Sequence, residues 1–466
     1  MATACISSQQ PYQPLGRRRV EAAFDAGRVS SDAGLLLLRE TAQLSDFFGR
    51  VADCFVDHRV QSRVEHTIEQ LVAQRILGLA CGYEDLNDHD TLRLDPLFAL
   101  AAGKSDPTGA DRTHSRDAGR ALAGHATLNR LETAPAQLDP KRRDLKVLHK
   151  PDAFERLFVD LFLDGHEEPP DQIVLDFDAT DDAVHGRQEG RFYHGYYRHY
   201  CYLPLYVFCG DFLLCAKLRR ADQDGAAGSL EELERIVDHI REQWPHTRIL
   251  VRADSGFCRD WLMSWCEQTD GVDFVIGLAR NSRLTSQIGS ALDERAEEVK
   301  ATGVPSRSFH ELRYRTKKSW SCERRVVAKA EVLVGKTNPR FVVTSLGCTE
   351  LEASELYKDL YCARGDMENR IKEQQLDLYA DRTSCHNWWS NQLRLMLSSL
   401  AYVLFDHIRR TALKNTRLAN ATSATIRNKL IRIGAVIVRN TRRIRFHLST
   451  SYPRRELFAL ATARLE

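Results

Sequence analysis

Long hydrophobic runs are absent from this chain of 466 residues. The longest apolar stretches, Gly34–Leu38 and Leu400–Phe405, are far shorter than the roughly 20 residues that a membrane-spanning helix needs. No apolar segment precedes the basic run Gly16–Arg19, so we expect no signal peptide. These absences argue against a membrane partner and favour a cytoplasmic location.

Closely spaced cysteine pairs are also absent. The twelve cysteines form no C-x-x-C pair and no zinc-like cluster, so we expect free thiols in a reducing compartment. The hydrophobic content of 43% and the charged content of 28% are ordinary for a folded soluble protein. The length predicts two or three domains.

The net charge of +2 hides a strong asymmetry along the chain. Residues 406–466 contain 14 Lys and Arg against three acidic residues, so this segment carries 14 − 3 = +11. A second basic stretch, Arg307–Arg340, has ten Lys and Arg against three Glu. One basic run alone is commonly a solvated face, but two such runs on a chain with clustered carboxylates favour a polyanionic partner.

The predicted elements change character along the chain. Residues 1 to about 165 read as mostly helical, with a helix over Thr67–Cys81 that Gly82 ends. The middle of the chain follows the order β-β-β-α-β-α-β, which matches a ribonuclease-H-like α/β fold with helices on both faces of a mixed sheet. Its helix over 229–243 has Ser229 as the predicted N-cap, with Glu232 completing a capping box. The predicted strands of this region are Gln172–Asp178, Tyr202–Cys209, Phe212–Leu218, Arg248–Asp254 and Asp273–Leu278.

Three short acidic segments carry the candidate chemistry. In two of them an apolar run ends on a carboxylate, at Asp178 and at Asp254. Asp176 lies on the same strand face as Asp178, so either could be the functional residue. In the third, Tyr361, Arg364 and Glu368 fall at i, i+3 and i+7, on one face of a helix.

Carboxylates from two strand ends and a helix suit a divalent metal site. Mg²⁺ prefers oxygen ligands, and a pair of ions about 3.5–4 Å apart can activate the attacking oxygen and stabilise the leaving oxygen of a phosphodiester. Each motif also has a structural reading, since Asp often ends a strand in a turn and Arg364 with Glu368 matches a surface ion pair. Their joint occurrence favours catalysis.

The third segment resembles the Y-x2-R-x3-E signature of the IS4 superfamily of DDE insertion-sequence transposases. Further segments resemble the IS1380 family of bacterial transposases, and the resemblance covers essentially the whole chain. These segments are Gly82–Asp85, Asp178–Asp182, His185–Gly190, His194–Tyr197, Tyr202–Leu205 and Asp377–Ser384.

The resemblance implies a catalytic and metal-binding triad of Asp178, Asp254 and Glu368, and it favours Asp178 over Asp176 because of the D-x-T context with Thr180. The implied cofactor is a pair of Mg²⁺ ions, with Mn²⁺ as a substitute. Tyr361, Arg364 and Lys372 are expected to grip DNA phosphates, and Trp320 to stack on a flipped base, with a buried core tryptophan as the alternative. One departure is Gln375, which stands where the wider signature has lysine.

The resemblance also implies an organisation and a function. We expect a transposase that binds terminal inverted repeats, cuts and joins DNA, and acts as a homodimer or higher oligomer in the bacterial nucleoid. The alternatives are a nuclease of the same fold without strand transfer and a catalytically silent DNA-binding derivative. The expected parts are a helical DNA-end-binding domain (1–165), a ribonuclease-H-like core (166–285 and 351–412) interrupted by a β-rich insertion (286–350), and a basic C-terminal segment (413–466).

Overall fold

A computed structural model describes residues 9–137, 145–440 and 442–466. Residues 1–8 and 138–144 of the expected N-terminal domain, and Thr441 of the basic C-terminal segment, lie outside the described residues. The described cysteines are free, as the sequence predicted. Among the described helices, none is both long enough and apolar enough to cross a membrane.

The described chain alternates between helices and strands. The strands are β1 (Gln9–Leu15), β2 (Arg18–Ala23), β3 (Arg28–Ser30), β4 (Phe55–Asp57), β5 (Val147–His149), β6 (Gln172–Ala179), β7 (Asp182–Ala183), β8 (Phe192–His194), β9 (His199–Tyr202), β10 (Leu205–Cys209), β11 (Phe212–Lys217), β12 (Arg248–Ala253), β13 (Val272–Leu278), β14 (Ser306–Tyr314), β15 (Arg324–Leu333), β16 (Lys336–Thr337), β17 (Arg340–Thr344), β18 (Ala435–Arg439) and β19 (Ile444–Leu448). The α-helices are α1 (Leu35–Leu44), α2 (Phe47–Asp53), α3 (Ile68–Cys81), α4 (His89–Leu92), α5 (Pro96–Ala101), α6 (His125–Glu132), α7 (Pro151–Leu163), α8 (Ser229–Gln243), α9 (Asp260–Gln268), α10 (Ser282–Gln287), α11 (Gly289–Thr302), α12 (Ala353–Glu355), α13 (Gly365–Leu378), α14 (Trp388–Arg410), α15 (Ser423–Ile426) and α16 (Arg455–Ala463).

The described residues form two compact units. The first contains the described residues within Met1–Ala134, Leu138–Leu148 and Leu400–Glu466, and the second contains Pro135–Gln137 and His149–Ser399. The N-terminal and C-terminal parts of the chain therefore share one unit.

A nine-stranded mixed sheet forms the centre of the second unit. Its main path runs β11-β10-β6-β12-β13-β17-β15-β14, with β16 paired to β15. The three central strands β6, β12 and β13 are parallel, and the strands outside them are antiparallel to their neighbours. The carboxyl ends of β6 and β12 therefore meet at one edge of the sheet.

The two faces of this sheet are apolar because both are covered. On one face, Val251 and Phe274 pack with residues of α7, α8, α9 and α11 in a large buried cluster. On the other face, Leu250 and Val275 pack against Leu356, which belongs to a π-helical segment over Leu356–Tyr361. Burial on both faces explains why the central strands are nearly continuous apolar runs.

The expected β-rich insertion extends the central sheet. Its strands β14, β15 and β17 lie within 286–350, and β17 pairs with β13 of the core. These strands therefore add to one sheet and do not form a sheet of their own. The long helix α11 precedes them and packs into the same apolar cluster through Leu292 and Val299.

The first unit is mainly helical and includes two small sheets near its chain ends. Strand β3 pairs with β18, which in turn pairs with β19, while β1 and β2 form an exposed hairpin. The predicted helix at Thr67 is confirmed: Thr67 and Gln70 form a capping box, and Gly82 ends α3 with φ of 91°.

The predicted capping box at Ser229 was wrong. Gly228 occupies the N-cap position of α8, and the hydroxyl of Ser229 donates to the carbonyl oxygen of Ala226 at 2.7 Å. Glu232 instead accepts hydrogen bonds from Lys217 and Arg235. An ion pair with Lys217 of β11 and an i, i+3 pair with Arg235 thus take the carboxylate that the capping box would use.

Candidate active site

Asp178 and Asp254 lie at the ends of two adjacent parallel strands. Asp178 is the penultimate residue of β6, and Asp254 follows the last residue of β12. The register pairs Ala253 with Phe177, so the next positions on the two strands are Asp254 and Asp178. The Asp254 carboxylate also accepts a hydrogen bond from the backbone N–H of Gly256 at 2.7 Å, which caps the following turn.

Arg364 connects the first of these carboxylates to Glu368. Its Nη2 donates to Glu368 Oε1 at 2.6 Å within α13, and its Nη1 lies 3.4 Å from Asp178 Oδ2. The guanidinium therefore bridges a strand end and a helix that are far apart in the chain. An exposed i, i+4 ion pair would only link Arg364 to Glu368 on the helix surface. Arg364 is instead half-buried and also contacts Asp178 of β6.

The backbone before α13 is irregular, although the spacing of Tyr361, Arg364 and Glu368 predicted one face of a helix. Leu356–Tyr361 is π-helical, and Cys362–Arg364 is a 3-10 turn. Single π-helical turns often occur at functional sites because they reorient side chains. Here Tyr361 approaches Gly277 of β13 so closely that a Cβ at position 277 would lie 2.5 Å from the tyrosine hydroxyl and 2.9 Å from the N–H of Ser255.

The electrostatics of this edge reflect crowded carboxylates. Burial raises the pKa of Asp178 to about 6, and the charges of Asp254 and Glu368 act in the same direction while Arg364 opposes them. Burial acts to lower the pKa of the Arg364 guanidinium, but Asp178 and Glu368 raise it above its ordinary value. The charges of Asp254 and Glu368 therefore both act on Asp178, and the Arg364 guanidinium beside Asp178 offsets them.

Asp176 has a different partner from Asp178. Its carboxylate is buried and forms a two-point ion pair with Arg252, at 2.5 Å to Nε and 2.7 Å to Nη2. Arg252 also donates to the carbonyl oxygen of Leu360 at 2.5 Å, next to Tyr361. Asp176 is thus engaged in holding β6, β12 and the π-helical segment together, and this geometry favours Asp178 as the functional carboxylate of the strand.

Gln375, the departure from the lysine signature, has a defined place. Its Nε2 donates to Asp182 Oδ1 at 2.9 Å and to the carbonyl oxygen of Asp181 at 3.3 Å. It therefore ties α13 to the segment that follows Asp178. Lys372 is exposed, and the described residues give it no ion pair.

Trp320 lies in the apolar cluster of the second unit. Its side chain is only 5% exposed and packs edge-on against Tyr314, with ring centroids 5.7 Å apart. Arg324 lies over the same ring. These contacts favour the core alternative for Trp320. Stacking on a flipped base stays a prediction, and it requires the ring to leave this packing.

Sequence reasoning missed two residues that shape the site. Arg252 lies inside the second acidic segment, but its partner Asp176 is fixed only by the register of β6 and β12. Gly277 interrupts the apolar strand β13, and a glycine inside a strand is a known signal of close backbone approach. That signal was available in the sequence.

The carboxylate oxygens at this edge of the sheet are ligands of the kind that a divalent cation prefers. Asp178, Asp254 and Glu368 are carboxylates, the ligands that Mg²⁺ and Mn²⁺ prefer, and burial together with the neighbouring carboxylates raises the pKa of Asp178. Within the described ranges, however, no three acidic, histidine or cysteine side chains already form a metal-binding group. Arg364 contacts both Asp178 and Glu368, so its guanidinium would compete with a cation that these two carboxylates hold together.

A basic cleft lies within the first unit. It has a volume of about 1120 Å³ and is lined by eight Lys and Arg against three acidic residues, Glu65, Asp90 and Asp117. Burial and the nearby charges of Lys104 and Arg112 lower the pKa of His66 in this cleft to about 3. The basic residues of the cleft are Arg59, Arg63, Arg93, Arg112, Arg116, Arg120, Arg130 and Lys146.

About half of this charge is left uncompensated. Arg112 pairs with Glu65 at 2.6 Å, and Arg93 pairs with Asp117 at 3.0 Å. Four cations of the cleft are exposed and have no ion pair among the residues that the structure describes: Arg63, Arg120, Arg130 and Lys146. A cleft with free cations attracts a polyanion.

Comparisons with known proteins identify the family. Residues 12–466 match the family model of the transposase DDE domain, group 1. No curated protein matches the chain. Among solved structures, the chain is similar to a piggyBac transposase in a synaptic complex with hairpin DNA, with a TM-score of 0.42 and 11% sequence identity over 86% of this chain and 80% of that chain. The family match spans nearly the whole sequence, and this protein therefore belongs to the transposase DDE domain group 1 family and is a transposase.

Proposed function

We propose that this transposase serves a bacterial insertion sequence of the IS1380 family, and that it cuts and joins DNA at the ends of its element with Mg²⁺. The observation that carries the proposal is the meeting of Asp178 and Asp254 at neighbouring parallel strand ends, with Arg364 linking Asp178 to Glu368. Strand ends and one helix supply the three carboxylates that phosphodiester chemistry requires.

In the proposed mechanism, Asp178, Asp254 and Glu368 would hold the divalent cofactor that DDE transposases generally use. When bound, two such ions supply activation of the attacking oxygen and stabilisation of the leaving oxygen. Arg364 then exchanges its carboxylate partners for phosphate oxygens, to which its planar guanidinium can donate two parallel hydrogen bonds. Tyr361 donates from its hydroxyl beside Asp254, and the exposed Lys372 adds a phosphate contact one helical turn after Glu368.

The rest of the proposal concerns fold and partners. The mixed sheet with three central parallel strands supports a ribonuclease-H-like core that includes α13. The order of Asp178, Asp254 and Glu368 along the chain follows the DDE pattern. We further propose that the protein acts as a homodimer or higher oligomer on DNA in the nucleoid.

Recognition of the terminal inverted repeats is proposed for the first unit. The basic cleft supports this proposal because its free cations suit a DNA backbone, whose contacts dominate affinity. The strongly basic segment 406–466 belongs to the same unit, where its strand β18 pairs with β3. This segment adds further positive charge to the unit.

The test is a strand-transfer assay with a labelled duplex that carries the element end and a free 3′-hydroxyl. With Mg²⁺ and target DNA, we expect joined products. Cleavage without any joined product would replace the proposal with a nuclease of the same fold, and binding without cleavage would indicate a silent DNA-binding derivative.

A further inference from the structure

A small hairpin in the second unit exposes several aromatic rings. We call residues 191–202, which include β8 and β9, the aromatic hairpin. Tyr193 pairs with Tyr200 across its strands, with ring centroids 5.6 Å apart. Tyr193 is 57% exposed, Tyr200 is 45% exposed, and Tyr196 at the tip is 83% exposed. Outward positions of a small sheet usually carry polar residues, so three exposed tyrosines together mark an interaction surface.

Other residues of the aromatic hairpin anchor it to the protein. Cys201 is fully buried, and His199 Nε2 lies 2.7 Å from Asp181 Oδ2. The hydroxyl of Tyr202 donates to the carbonyl oxygen of Glu189 at 2.5 Å, and the ring of Tyr202 packs edge-on against Trp388. The exposed rings therefore stand on a fixed platform, which lowers the entropy cost of binding a ligand.

The aromatic hairpin lies beside the proposed catalytic edge. Its strand β9 pairs with β7, which begins four residues after Asp178. Burial raises the pKa of Tyr197 to about 12, and the charges of Asp181 and Asp178 act on it in the same direction. The aromatic hairpin is thus joined through β7 to the segment that directly follows Asp178.

Arginine side chains accompany the rings. Arg191 lies 4.4 Å from the centroid of Tyr200, and Arg220 lies 4.7 Å from the centroid of Phe192. Arg198 at the turn is exposed. Within 187–200, three Arg face one Glu, so the net charge is 3 − 1 = +2. Arg220 pairs with Asp222 at 2.8 Å, whereas Arg191 and Arg198 have no ion pair among the residues that the structure describes. Aromatic rings beside such unpaired guanidinium groups are typical of surfaces that bind single-stranded nucleic acid.

We propose that the aromatic hairpin binds unpaired bases of the DNA strand next to the cleavage point. Bases stack on Tyr193, Tyr196 and Tyr200, and the phosphates between them contact Arg191 and Arg198. Duplex DNA does not fit this role, because the faces of paired bases are already stacked. The inference rests on the proposed function, which supplies the DNA substrate. It assigns to the aromatic hairpin the base stacking that the sequence predicted for Trp320.

The test compares two DNA substrates of the same sequence, a blunt duplex and a fork with about six unpaired nucleotides. Binding is measured by fluorescence anisotropy for the full-length protein and for the double variant Tyr193→Ala/Tyr200→Ala. We expect the variant to bind the fork about tenfold more weakly and the blunt duplex unchanged. Tyr193→Phe/Tyr200→Phe keeps the rings and should restore fork binding, while Tyr12→Ala, an exposed tyrosine of β1, should have no effect.

Three results would overturn the inference. The first is fork binding by the alanine variant that equals that of the parent. The second is equal binding of the fork and the blunt duplex by the parent protein. This result would leave the proposed function standing, because the proposed function needs only binding to duplex DNA ends. The third is a loss of oligomers in light scattering of the variant with unchanged DNA binding, which would assign the surface to a second copy of the chain. Equal melting temperatures of parent and variants exclude misfolding as the cause of a loss.

Discussion

The guanidinium of Arg364 contacts the carboxylate of Asp178 although the two residues lie 186 positions apart in the chain. The same guanidinium donates to Glu368 at 2.6 Å. A positive charge thus sits between two carboxylates that we propose as metal ligands. This relationship links metal binding to the position of one side chain.

Replacing Arg364 should therefore strengthen metal binding while it abolishes cleavage. In Arg364→Ala the carboxylates lose their bridging cation, and we expect Mn²⁺ to bind about tenfold more tightly, or about 1.4 kcal/mol. Isothermal titration with Mn²⁺ measures this change. Lys372→Ala removes an exposed cation from the same helix and should leave Mn²⁺ affinity unchanged; weaker binding in Arg364→Ala would contradict the arrangement.

Replacing Asp176 should destabilise the protein more than replacing Asp178, the other aspartate of β6. Asp176→Ala leaves Arg252 buried without its carboxylate, and we expect a loss of about 3–5 kcal/mol in the free energy of unfolding. Asp178→Ala removes a carboxyl whose ionised form is already disfavoured by burial, and we expect a loss below about 1 kcal/mol. Urea unfolding of both variants measures the difference. Equal losses would show that Asp178 is as structural as Asp176.

Much of this edge could be predicted from the sequence, and the reasons are physical. The apolar runs of β6 and β12 predicted those strands to within one residue, because a strand buried on both faces leaves little choice of residue. The helix over Thr67–Cys81 and its end at Gly82 were predicted correctly because helical periodicity and a glycine C-cap are local signals.

Features that depend on distant partners could not be predicted in the same way. The addition of β17 to the core sheet follows from pairing with β13 and leaves no local signal. The π-helical segment Leu356–Tyr361 is held by Arg252 of β12, which donates to the carbonyl oxygen of Leu360. The capping box at Ser229 failed because Glu232 pairs with Lys217 of another strand and with Arg235 one turn further along its own helix.

Asp182 should make the stability of the protein depend on pH. Burial raises its pKa to about 8, with Asp381 and Asp181 acting in the same direction, while the hydrogen bond from Gln375 opposes them. Because the folded pKa lies above the unfolded value, the protonated form is favoured in the folded state. Its contribution to stability is complete at low pH and is lost as the pH rises through about 8.

The variant Asp182→Asn tests this dependence. The amide cannot ionise and can still accept the hydrogen bond of Gln375, so the free energy of unfolding should fall less between pH 6 and pH 9 than in the parent. Chemical unfolding across this range measures the effect. A parallel fall in both proteins would show that Asp182 is ionised in the folded state or that other groups control the dependence.

The basic cleft should set the salt dependence of DNA-end binding. Arg120→Ala/Arg130→Ala removes two free cations, and each lost phosphate contact should reduce the slope of log K against log salt by about 0.9. Anisotropy titrations at several salt concentrations measure the slope. Arg17→Ala/Arg28→Ala, which removes two exposed arginines outside the cleft, is the matched control, and an equal change in both variants would argue against a role for the cleft.

The central claim is that Asp178, Asp254 and Glu368 form the catalytic site, and Asp254→Asn tests it most directly. The variant keeps the shape of the residue and an oxygen that can cap Gly256, but it loses the carboxylate charge. Mg²⁺-dependent cleavage of an element-end duplex is compared with that of Asp238→Asn, an exposed carboxylate on α8. The account predicts that Asp254→Asn binds the ends but does not cleave them, whereas Asp238→Asn cleaves like the parent. Unchanged cleavage by Asp254→Asn would contradict the account.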